Sequence, residues 1–439
     1  MHLSTKRDDD GGWYDRYVNL VYDSGEIAYE FGQNPTLDEL REAEREFGDR
    51  INLWQQGLIC FSCGNQINDR FSTDIEGHLL CWDCAEEKQT TERGSLRTGI
   101  DPTKSVLSES QLHKKSLCDY VINVATGCRH GCKFCYVPST PAIDARDDML
   151  AEEAEVDDPQ QEWGDYLLYR DDLPERLHQG LQNHNFEDWK KTERGRGIVM
   201  LSSGTDCYQD RRAAQITRGC VHELINHEIP VRILTRSPNV TRDIDLFKQG
   251  GDRITVGSSI PSFNTELVQA IEPNAPPPMQ RWKALDQMFR EGVSRFVSFS
   301  PTYPTMGANE IEEALQWFSA IDPDVVFHEP INPRGKNFQM CIEALQKSGL
   351  EEAAEQFERI VDPDEWVEYA LEQIDLVQRK SNEFDNLEVH TWPDDQLIES
   401  TNRELKSQLI QMKRSVSPKS IVKSQTERST GDGQVPLNL

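Results

Sequence analysis

The sequence predicts an α/β protein with a partial (β/α)6 barrel of the TIM type, and two observations predict this fold. A chain of 439 residues is long enough for one large barrel with appendages. Between about residues 116 and 395, short apolar runs alternate with longer amphipathic ones. Strand–helix units in series favour parallel strands joined by right-handed crossovers, with reactive groups at the carboxyl ends of the strands. Predicted strands span 120–124, 198–202, 231–235, 254–258, 296–300 and 325–329, and predicted helices span 211–227, 279–291, 308–319 and 363–379.

The rest of the chain is organised around this predicted barrel at 116–395. Residues 1–95 form an acidic N-terminal region, in which we expect strands at 13–21 and 26–31 and a helix at 36–48. Residues 96–115 are polar and predict a linker. Residues 396–439 predict a basic, largely disordered tail, and the nine acidic residues between 151 and 172 predict a solvated insertion.

The composition excludes several classes of protein. There are 47 Lys and Arg residues against 76 Asp and Glu residues, so the net charge is −29. This charge argues against nucleic-acid binding through a general basic surface, although adaptation to a salty cytoplasm would produce the same charge without any functional meaning. No apolar run is long enough to span a membrane, and the first residues carry no apolar signal core, so we expect a cytoplasmic protein without a membrane partner.

Four of the eleven cysteines predict a structural zinc site. Cys60 and Cys63 form one Cys-x-x-Cys pair, and Cys81 and Cys84 form another. In a reducing compartment, four thiolates at this spacing can hold one tetrahedral zinc ion and leave it no open position. The segment 57–86 resembles a zinc ribbon or treble-clef knuckle. An auxiliary iron–sulfur cluster is the alternative, because four cysteines also hold such clusters.

A second cluster of cysteines predicts a different metal centre. Cys128, Cys132 and Cys135 follow the first predicted barrel strand in a glycine-bearing loop. Three thiolates cannot complete a tetrahedral zinc site, and His130, a conceivable fourth ligand, lies inside the loop that must wrap the metal. Three thiolates suit a [4Fe–4S] cluster with one iron unligated. That iron could chelate the amino and carboxylate groups of a methionine moiety.

The spacing of these cysteines, their position after the first strand and the aromatic Phe134 resemble the radical S-adenosylmethionine (SAM) enzymes. The segment Gly127-Cys128-x-His130-x-Cys132-x-Phe134-Cys135-Tyr136 is similar to the spore photoproduct lyase-like subgroup, often called DNA repair photolyase proteins. The resemblance covers about 119–335. Further matching motifs are Ser202-Ser203-Gly204-Thr205-Asp206-Cys207-Tyr208-Gln209, Thr235-Arg236-Ser237 with Arg242-Asp243, Glu272-Pro273 with Arg281, Pro301-x-x-Pro304 and Glu329-x-x-Asn332.

The resemblance implies reductive cleavage of SAM to a 5′-deoxyadenosyl radical, with a ferredoxin or flavodoxin as electron donor. It also implies contacts with SAM at the ends of the predicted strands. We expect Asp206 to meet the methionine ammonium, Arg236 to fork onto the carboxylate, and Ser237 to reach a ribose hydroxyl. The other predicted SAM contacts are Phe134, Tyr136, Ser202, Ser203, Gly204, Thr205, Thr235, Ser258 and Ser259.

One departure from the subgroup bears on the substrate. Spore photoproduct lyases use a cysteine beyond the cluster loop as a hydrogen donor, and none stands between Tyr136 and Asp206 here. Cys207 is a candidate substitute or, equally, an inert buried thiol. Repair or modification of nucleic acid leads by family analogy. Modification of a protein or peptide, with the zinc knuckle as a docking module, is the first alternative. A non-catalytic iron–sulfur sensor and a zinc-binding adaptor are the others.

Overall fold

The computed structural model describes residues 2–7, 16–21, 27–33, 71–73, 79–81, 96–115, 117–183, 197–333 and 335–414. The chain divides into two compact units, residues 1–95 and residues 96–439. Each unit is described by itself below. None of the described helices is both long and apolar enough to cross a membrane.

The described residues of the first unit form two small antiparallel sheets. Strands β1 (His2–Arg7), β2 (Arg16–Val21) and β3 (Ile27–Gln33) pair in sequence order, and the last two match the strands expected at 13–21 and 26–31. Strands β4 (Phe71–Thr73) and β5 (Leu79–Cys81) form a hairpin. The helix predicted at 36–48 and the predicted zinc ligands Cys60, Cys63 and Cys84 lie outside the described residues. Of the fourth predicted ligand, Cys81, only the backbone is described, at the end of β5.

The second unit is built on a sheet of eight strands, seven of which are parallel. Along the sheet, the order is β7, β8, β11, β12, β13, β14, β15 and β16, and only β7 runs antiparallel to its neighbour. The parallel strands follow one another in chain order, as a TIM-type barrel requires, which agrees with the predicted fold class. The bounds are β7 Ser108–Glu109, β8 Tyr120–Ile122, β11 Val199–Leu201, β12 Val231–Thr235, β13 Ile254–Ser259, β14 Ser294–Thr302, β15 Val326–Pro330 and β16 Val389–Thr391.

Helices connect these strands, and their ends carry the expected capping residues. The helix Arg211–Asn226 begins after Asp210, whose carboxylate accepts from the Ala213 N–H at 2.9 Å, and Asp362 caps Pro363–Ser381 in the same way. The described helices of four residues or more, excluding 3₁₀ turns, are Pro141–Asp144, Asp147–Ala154, Leu173–Asn183, Arg211–Asn226, Ile244–Gly250, Thr265–Ile271, Pro278–Arg290, Ala308–Ser319, Gly335–Lys347, Glu351–Arg359, Pro363–Ser381, Asp395–Ser400 and Arg403–Arg414.

The second unit also contains a three-stranded sheet, which shows that the predictions for 96–115 and 151–172 were wrong in part. Strands β6 (Arg97–Ile100) and β9 (Ala125–Gly127) flank β10 (Tyr166–Tyr169), and all four residues of β10 are buried. The segment 96–115, predicted as a linker, therefore supplies β6 and β7 to the folded unit. The acidic segment 151–172 is not a wholly solvated loop, because its apolar centre forms β10.

The two faces of the main sheet have different surroundings. Along β14, Phe299 points into the apolar core, where its ring centroid lies 5.2 Å from that of Phe318 on a covering helix. Phe296, Ser298 and Ser300 alternate with the core residues and line a cavity on the other face. The curved sheet therefore buries one face under helices and turns the other toward a candidate site. In the segment predicted as a tail, 403–414 is helical, and residues 415–439 lie outside the description.

Candidate functional site

A cavity of about 700 Å³ lies at the carboxyl ends of the parallel strands. Its walls come from the loop that carries Cys128, Cys132 and Cys135 after β9, here called the cysteine loop, and from the ends of β11 through β16. This volume falls in the range of sites for small molecules and cofactors. The position agrees with the general rule for barrels of this kind, in which the strand ends carry the reactive groups.

The cysteine loop on one side of the cavity is fixed by hydrogen bonds from several elements. The Lys133 N–H donates to the Ile271 carbonyl at 2.9 Å, and Asn274 Nδ2 donates to the Arg129 carbonyl at 2.9 Å. Asn337 Nδ2 donates to the carbonyl of Phe134 at 2.8 Å. These contacts reach the loop from the ends of two helical regions, so its shape is set by the surrounding fold.

Two glycines allow the loop to take this shape. Gly127 has φ +94° and Gly131 has φ +60°, in the region where residues with a Cβ are strained. A Cβ on Gly127 would lie 2.3 Å from the carbonyl oxygen of Tyr166 on β10. The close approach of β9 and β10 therefore depends on glycine at this position.

All three cysteines of the loop line the cavity. Burial raises the pKa of the Cys132 thiol to about 12 and that of Cys135 to about 11. The backbone of Val137 and the indole of Trp163 oppose this rise in the pKa of Cys135. A bound metal would offset the burial by stabilising the thiolates.

His130, considered above as a fourth ligand, is engaged with the protein instead. Its Nε2 lies 3.0 Å from Asp206 Oδ2, and its Nδ1 lies 3.4 Å from the Asn274 carbonyl. No fourth cysteine is present among the described lining residues. The loop therefore presents three thiols, which is the donor set of a [4Fe–4S] cluster with one open iron position.

Asp206 lies in the cavity wall, but its carboxylate is satisfied by the protein. It lies beside His130 and accepts hydrogen bonds from Thr235 Oγ1 at 2.6 Å, from the Arg236 N–H at 2.7 Å and from the Tyr208 N–H at 2.8 Å. Burial alone would raise the pKa of Asp206, but the neighbouring His130 and these donors outweigh burial and lower it to about 2. Asp206 was expected to contact the ammonium group of SAM. In the structure it instead holds the end of β12 and the segment after β11 in place through these hydrogen bonds.

Arg236 is also paired within the protein. Its Nε lies 3.3 Å from Glu272 Oε1, and its guanidinium lies 5.5 Å from the centroid of the Phe134 ring. The other Glu272 oxygen accepts from Arg281 at 2.5 Å, and both of these side chains are fully buried. Arg236, which was expected to contact the carboxylate of SAM, is therefore paired with Glu272 in this structure, and it lies in the cavity wall near Cys132.

The polar residues after β11 lie next to the cysteine loop. The backbone N–H groups of Ser203 and Gly204 donate to Asn123 Oδ1 at 3.0 and 2.8 Å, and the Thr205 hydroxyl donates to the Gly127 carbonyl at 2.5 Å. Ser202 Oγ is buried and has no hydrogen-bond partner within the described part of the chain. Ser202, which also lines the cavity, is therefore one candidate for contact with a ligand at this strand end.

The remaining predicted residues divide into two groups. Phe134, Tyr136, Thr235 and Ser259 line the cavity as expected. Ser237 and Ser258 are not among the lining residues. Ser258 Oγ donates to the Thr235 carbonyl at 2.8 Å, and Ser237 Oγ accepts from the Asn239 N–H at 3.3 Å.

Cys207 requires a correction. It is fully buried outside the cavity lining, and its thiol donates to the Leu201 carbonyl at 3.4 Å. Burial also raises the pKa of Cys207 well above its usual value. The structure therefore favours the inert buried thiol over the hydrogen donor.

The far side of the cavity contains residues that the sequence analysis missed. His328, His390 and Trp392 lie on or just after β15 and β16, and Lys115 approaches them from the other edge of the sheet. Lys115 Nζ lies 2.8 Å from both oxygens of Glu329. Only the alternation of apolar and polar residues at Leu387-Glu388-Val389 could have indicated a seventh parallel strand and hence this wall.

Comparisons with known proteins agree with this site. Residues 122–318, which contain the cysteine loop and the strand ends through β14, match the family model described as the radical SAM superfamily. The uncharacterized protein ORF301 of Acidianus two-tailed virus is 30% identical over 253 residues, covering 56% of this chain and 78% of the viral protein. The uncharacterized protein MJ0683 of Methanocaldococcus jannaschii is 28% identical over 188 residues, covering 43% of this chain and 61% of that protein.

Solved structures with a similar arrangement were also found. A structure of spore photoproduct lyase aligns with a TM-score of 0.48 at 16% identity, covering 69% of this chain and 83% of that one. SuiB of Streptococcus suis bound to S-adenosylmethionine aligns with a TM-score of 0.37 at 13% identity, covering 65% of this chain and 54% of that one. On the family match, the viral relative and the three-cysteine loop, the chain belongs to the radical SAM superfamily.

Proposed function

We propose that Cys128, Cys132 and Cys135 hold a [4Fe–4S] cluster and that the protein uses it to cleave SAM reductively. The observation that carries this proposal is the placement of the three thiols on one side of a cavity at the strand ends. When bound, such a cluster supplies one electron to the sulfonium of SAM, which yields methionine and a 5′-deoxyadenosyl radical.

The residues around the thiols fit a role in binding and orienting SAM. Ser202 lines the cavity, and its Oγ is buried without a hydrogen-bond partner among the described residues. Arg236, paired with Glu272, places a fixed positive charge beside Cys132. Asp206 and Thr205 hold the loop and the end of β12, so that the wall does not depend on a ligand for its shape.

An external reductant must reach the cluster, and we propose a ferredoxin or flavodoxin for this role. Tyr136, which directly follows Cys135, is 61% exposed although it is a large aromatic residue. The cysteine loop therefore approaches the molecular surface at this point. A one-electron carrier docking there would be close to the thiolates.

For the substrate, we propose a nucleic-acid component on which repair or modification takes place. This choice follows the motif resemblance to spore photoproduct lyase-like proteins and the aromatic lining of the cavity. The net charge of −29 favours a small or single-stranded substrate over a duplex held by a basic surface.

The proposal is tested by anaerobic reconstitution of the full chain with iron and sulfide, followed by dithionite and SAM. We expect 5′-deoxyadenosine to form with the wild-type protein and to be absent with Cys132→Ala. Cys118→Ala is the matched control, because Cys118 is buried and does not line the cavity. Equal product from Cys132→Ala and the wild type would contradict the proposal.

A further inference from the structure

The cavity has a second half, formed by the ends of β14, β15 and β16, in which two polar side chains have atoms without a hydrogen-bond partner in the described part of the chain. His390 lies on β16, is 3% exposed and lines the cavity. Neither of its ring nitrogens has a hydrogen-bond partner among the described residues, and the same is true of Asn332 Nδ2. A buried polar group without a partner destabilises the folded protein, which suggests that a ligand provides the missing contacts.

The neighbouring His328 shows that this lack of partners is not a general property of these strands. His328 lies on β15, is 1% exposed and also lines the cavity. Its Nε2 lies 3.2 Å from Thr302 Oγ1, and its Nδ1 lies 3.3 Å from Thr391 Oγ1. His328 is therefore satisfied by the protein, whereas His390, one strand further along, is not.

The surroundings of His390 are aromatic. Its ring centroid lies 5.7 Å from that of Phe327 and 6.0 Å from that of Trp392. The Phe296 ring meets Phe327 edge to face at 5.7 Å. All four side chains line the cavity, so this half offers flat apolar surfaces around a hydrogen-bonding ring.

The charge of this half does not favour an anion. Lys115 is the one Lys or Arg of the described lining on this side, and Glu329 holds its ammonium with both oxygens. Burial and the nearby Lys115 lower the pKa of His390 to about 4, so its ring is neutral at pH 7. A neutral imidazole offers one N–H donor and one acceptor.

We propose that the ends of β14, β15 and β16 form the substrate half of the cavity and that His390 hydrogen-bonds an uncharged planar heterocycle of the nucleobase type. The ring of such a ligand packs on Phe327 and Trp392, and its amide-like edge supplies the missing acceptor and donor. This inference deepens the proposed function, on which it rests for placing SAM beside the cysteines.

The test is equilibrium dialysis of the reconstituted full-length protein with SAM against labelled adenosine, guanosine, cytidine and uridine. We expect at least one nucleoside to bind and its affinity to fall about tenfold in His390→Phe, which keeps a planar ring but removes both nitrogens. His390→Gln keeps a donor and an acceptor and should retain most of the affinity. The matched control is His222→Phe, the same substitution at an exposed site outside the cavity.

The melting temperature separates this role from a structural one. Since His390→Phe removes two unsatisfied buried nitrogens, it should not lower the melting temperature, while it weakens nucleoside binding. A lower melting temperature with unchanged affinity would overturn the proposal. Binding of N-acetyl-tyrosine amide but of no nucleoside would also overturn it, in favour of a peptide substrate.

The two proposals fail in different ways. If the wild type binds a nucleoside but forms no 5′-deoxyadenosine, the proposed SAM chemistry is wrong and the nucleobase site stands. If 5′-deoxyadenosine forms and no nucleoside binds, the nucleobase site is wrong and the SAM chemistry stands.

Discussion

At the scale of single residues, Thr205 and Asp206 in the segment Thr205–Gln209 were predicted to contact SAM, but in the structure the side chains of this segment bind other parts of the protein. Asp206 lies 3.0 Å from His130 Nε2 and accepts from the Arg236 N–H. Gln209 Oε1 accepts from the Arg129 N–H at 2.6 Å, and its Nε2 donates to Thr205 at 2.9 Å. These bonds attach the end of β11 to the cysteine loop. A motif at a strand end predicts where its residues lie, but their hydrogen-bond partners depend on tertiary contacts.

The bracing role of Asp206 predicts a particular pH dependence. Because its folded-state pKa is about 2 and an unperturbed Asp titrates near pH 4, its stabilisation is complete above about pH 4 and is lost as the pH falls toward 2. The difference of nearly two pKa units corresponds to about 2 to 3 kcal/mol. We expect Asp206→Asn to lower the free energy of unfolding by this amount equally at pH 7 and pH 5. A loss that shrinks between pH 7 and pH 5 in chemical denaturation would show that the carboxylate titrates near neutrality.

The pairing of Glu272 with Arg236 and Arg281 gives a second prediction at this scale. Glu272→Gln leaves the fully buried Arg281 and the partly buried Arg236 without their carboxylate, and it should cost about 3 to 5 kcal/mol of unfolding free energy. The control is Asp375→Asn, which breaks the exposed pair with Arg379 and should cost less than about 1 kcal/mol. Similar costs for the two variants in denaturant titrations would contradict the burial argument.

The roles of His390 and Cys207 could not be predicted from the sequence. Cys207 follows the predicted end of a strand, yet its side chain points into the core. His390 stands in no motif of the sequence. It became a candidate only because it lines the cavity and its ring nitrogens lack hydrogen-bond partners among the residues that the structure describes. Side-chain direction and hydrogen-bond satisfaction are properties of the folded chain, so neither residue could be assigned from its neighbours in sequence.

At the scale of elements, the central strands follow closely from the sequence. The strand predicted at 231–235 and the helix predicted at 308–319 have the same bounds in the structure. These segments are buried or regularly amphipathic, so local patterning is sufficient to define them.

The peripheral strands were missed because their local signals are weak. β10 is a run of four apolar residues between acidic stretches, and β6 has alternating exposure in a polar segment. β10 pairs with β6 on one side and with β9 on the other, and these pairings between distant segments stabilise both strands. Composition alone therefore predicted a loop and a linker.

The cysteine loop itself provides a test at this scale. Gly127→Ala places a Cβ 2.3 Å from the Tyr166 carbonyl, so β9 and β10 must separate and the loop must shift. We expect this variant to lose most of its iron after reconstitution. The matched control is Gly292→Ala, which also has positive φ but an open environment, and it should cost only about 1 kcal/mol. Full iron retention in Gly127→Ala would contradict the described loop geometry.

At the scale of the whole molecule, the chain combines a radical SAM unit with an N-terminal region of separate organisation. The sequence predicted the three-cysteine centre and the four-cysteine knuckle from spacing alone, and zinc at Cys60, Cys63, Cys81 and Cys84 stays a prediction. The cavity at the strand ends also follows from the predicted fold class. Its far half does not, because β16 is short and follows a long helix, Pro363–Ser381.

The most direct test of the central claim is the iron content of the anaerobically reconstituted full chain, measured together with zinc. We predict about four irons per wild-type chain and none in Cys132→Ala, with the zinc content unchanged. Cys63→Ala is the reciprocal control, which should lose zinc and keep about four irons. Full iron in Cys132→Ala would contradict the assignment of Cys128, Cys132 and Cys135 as the cluster ligands.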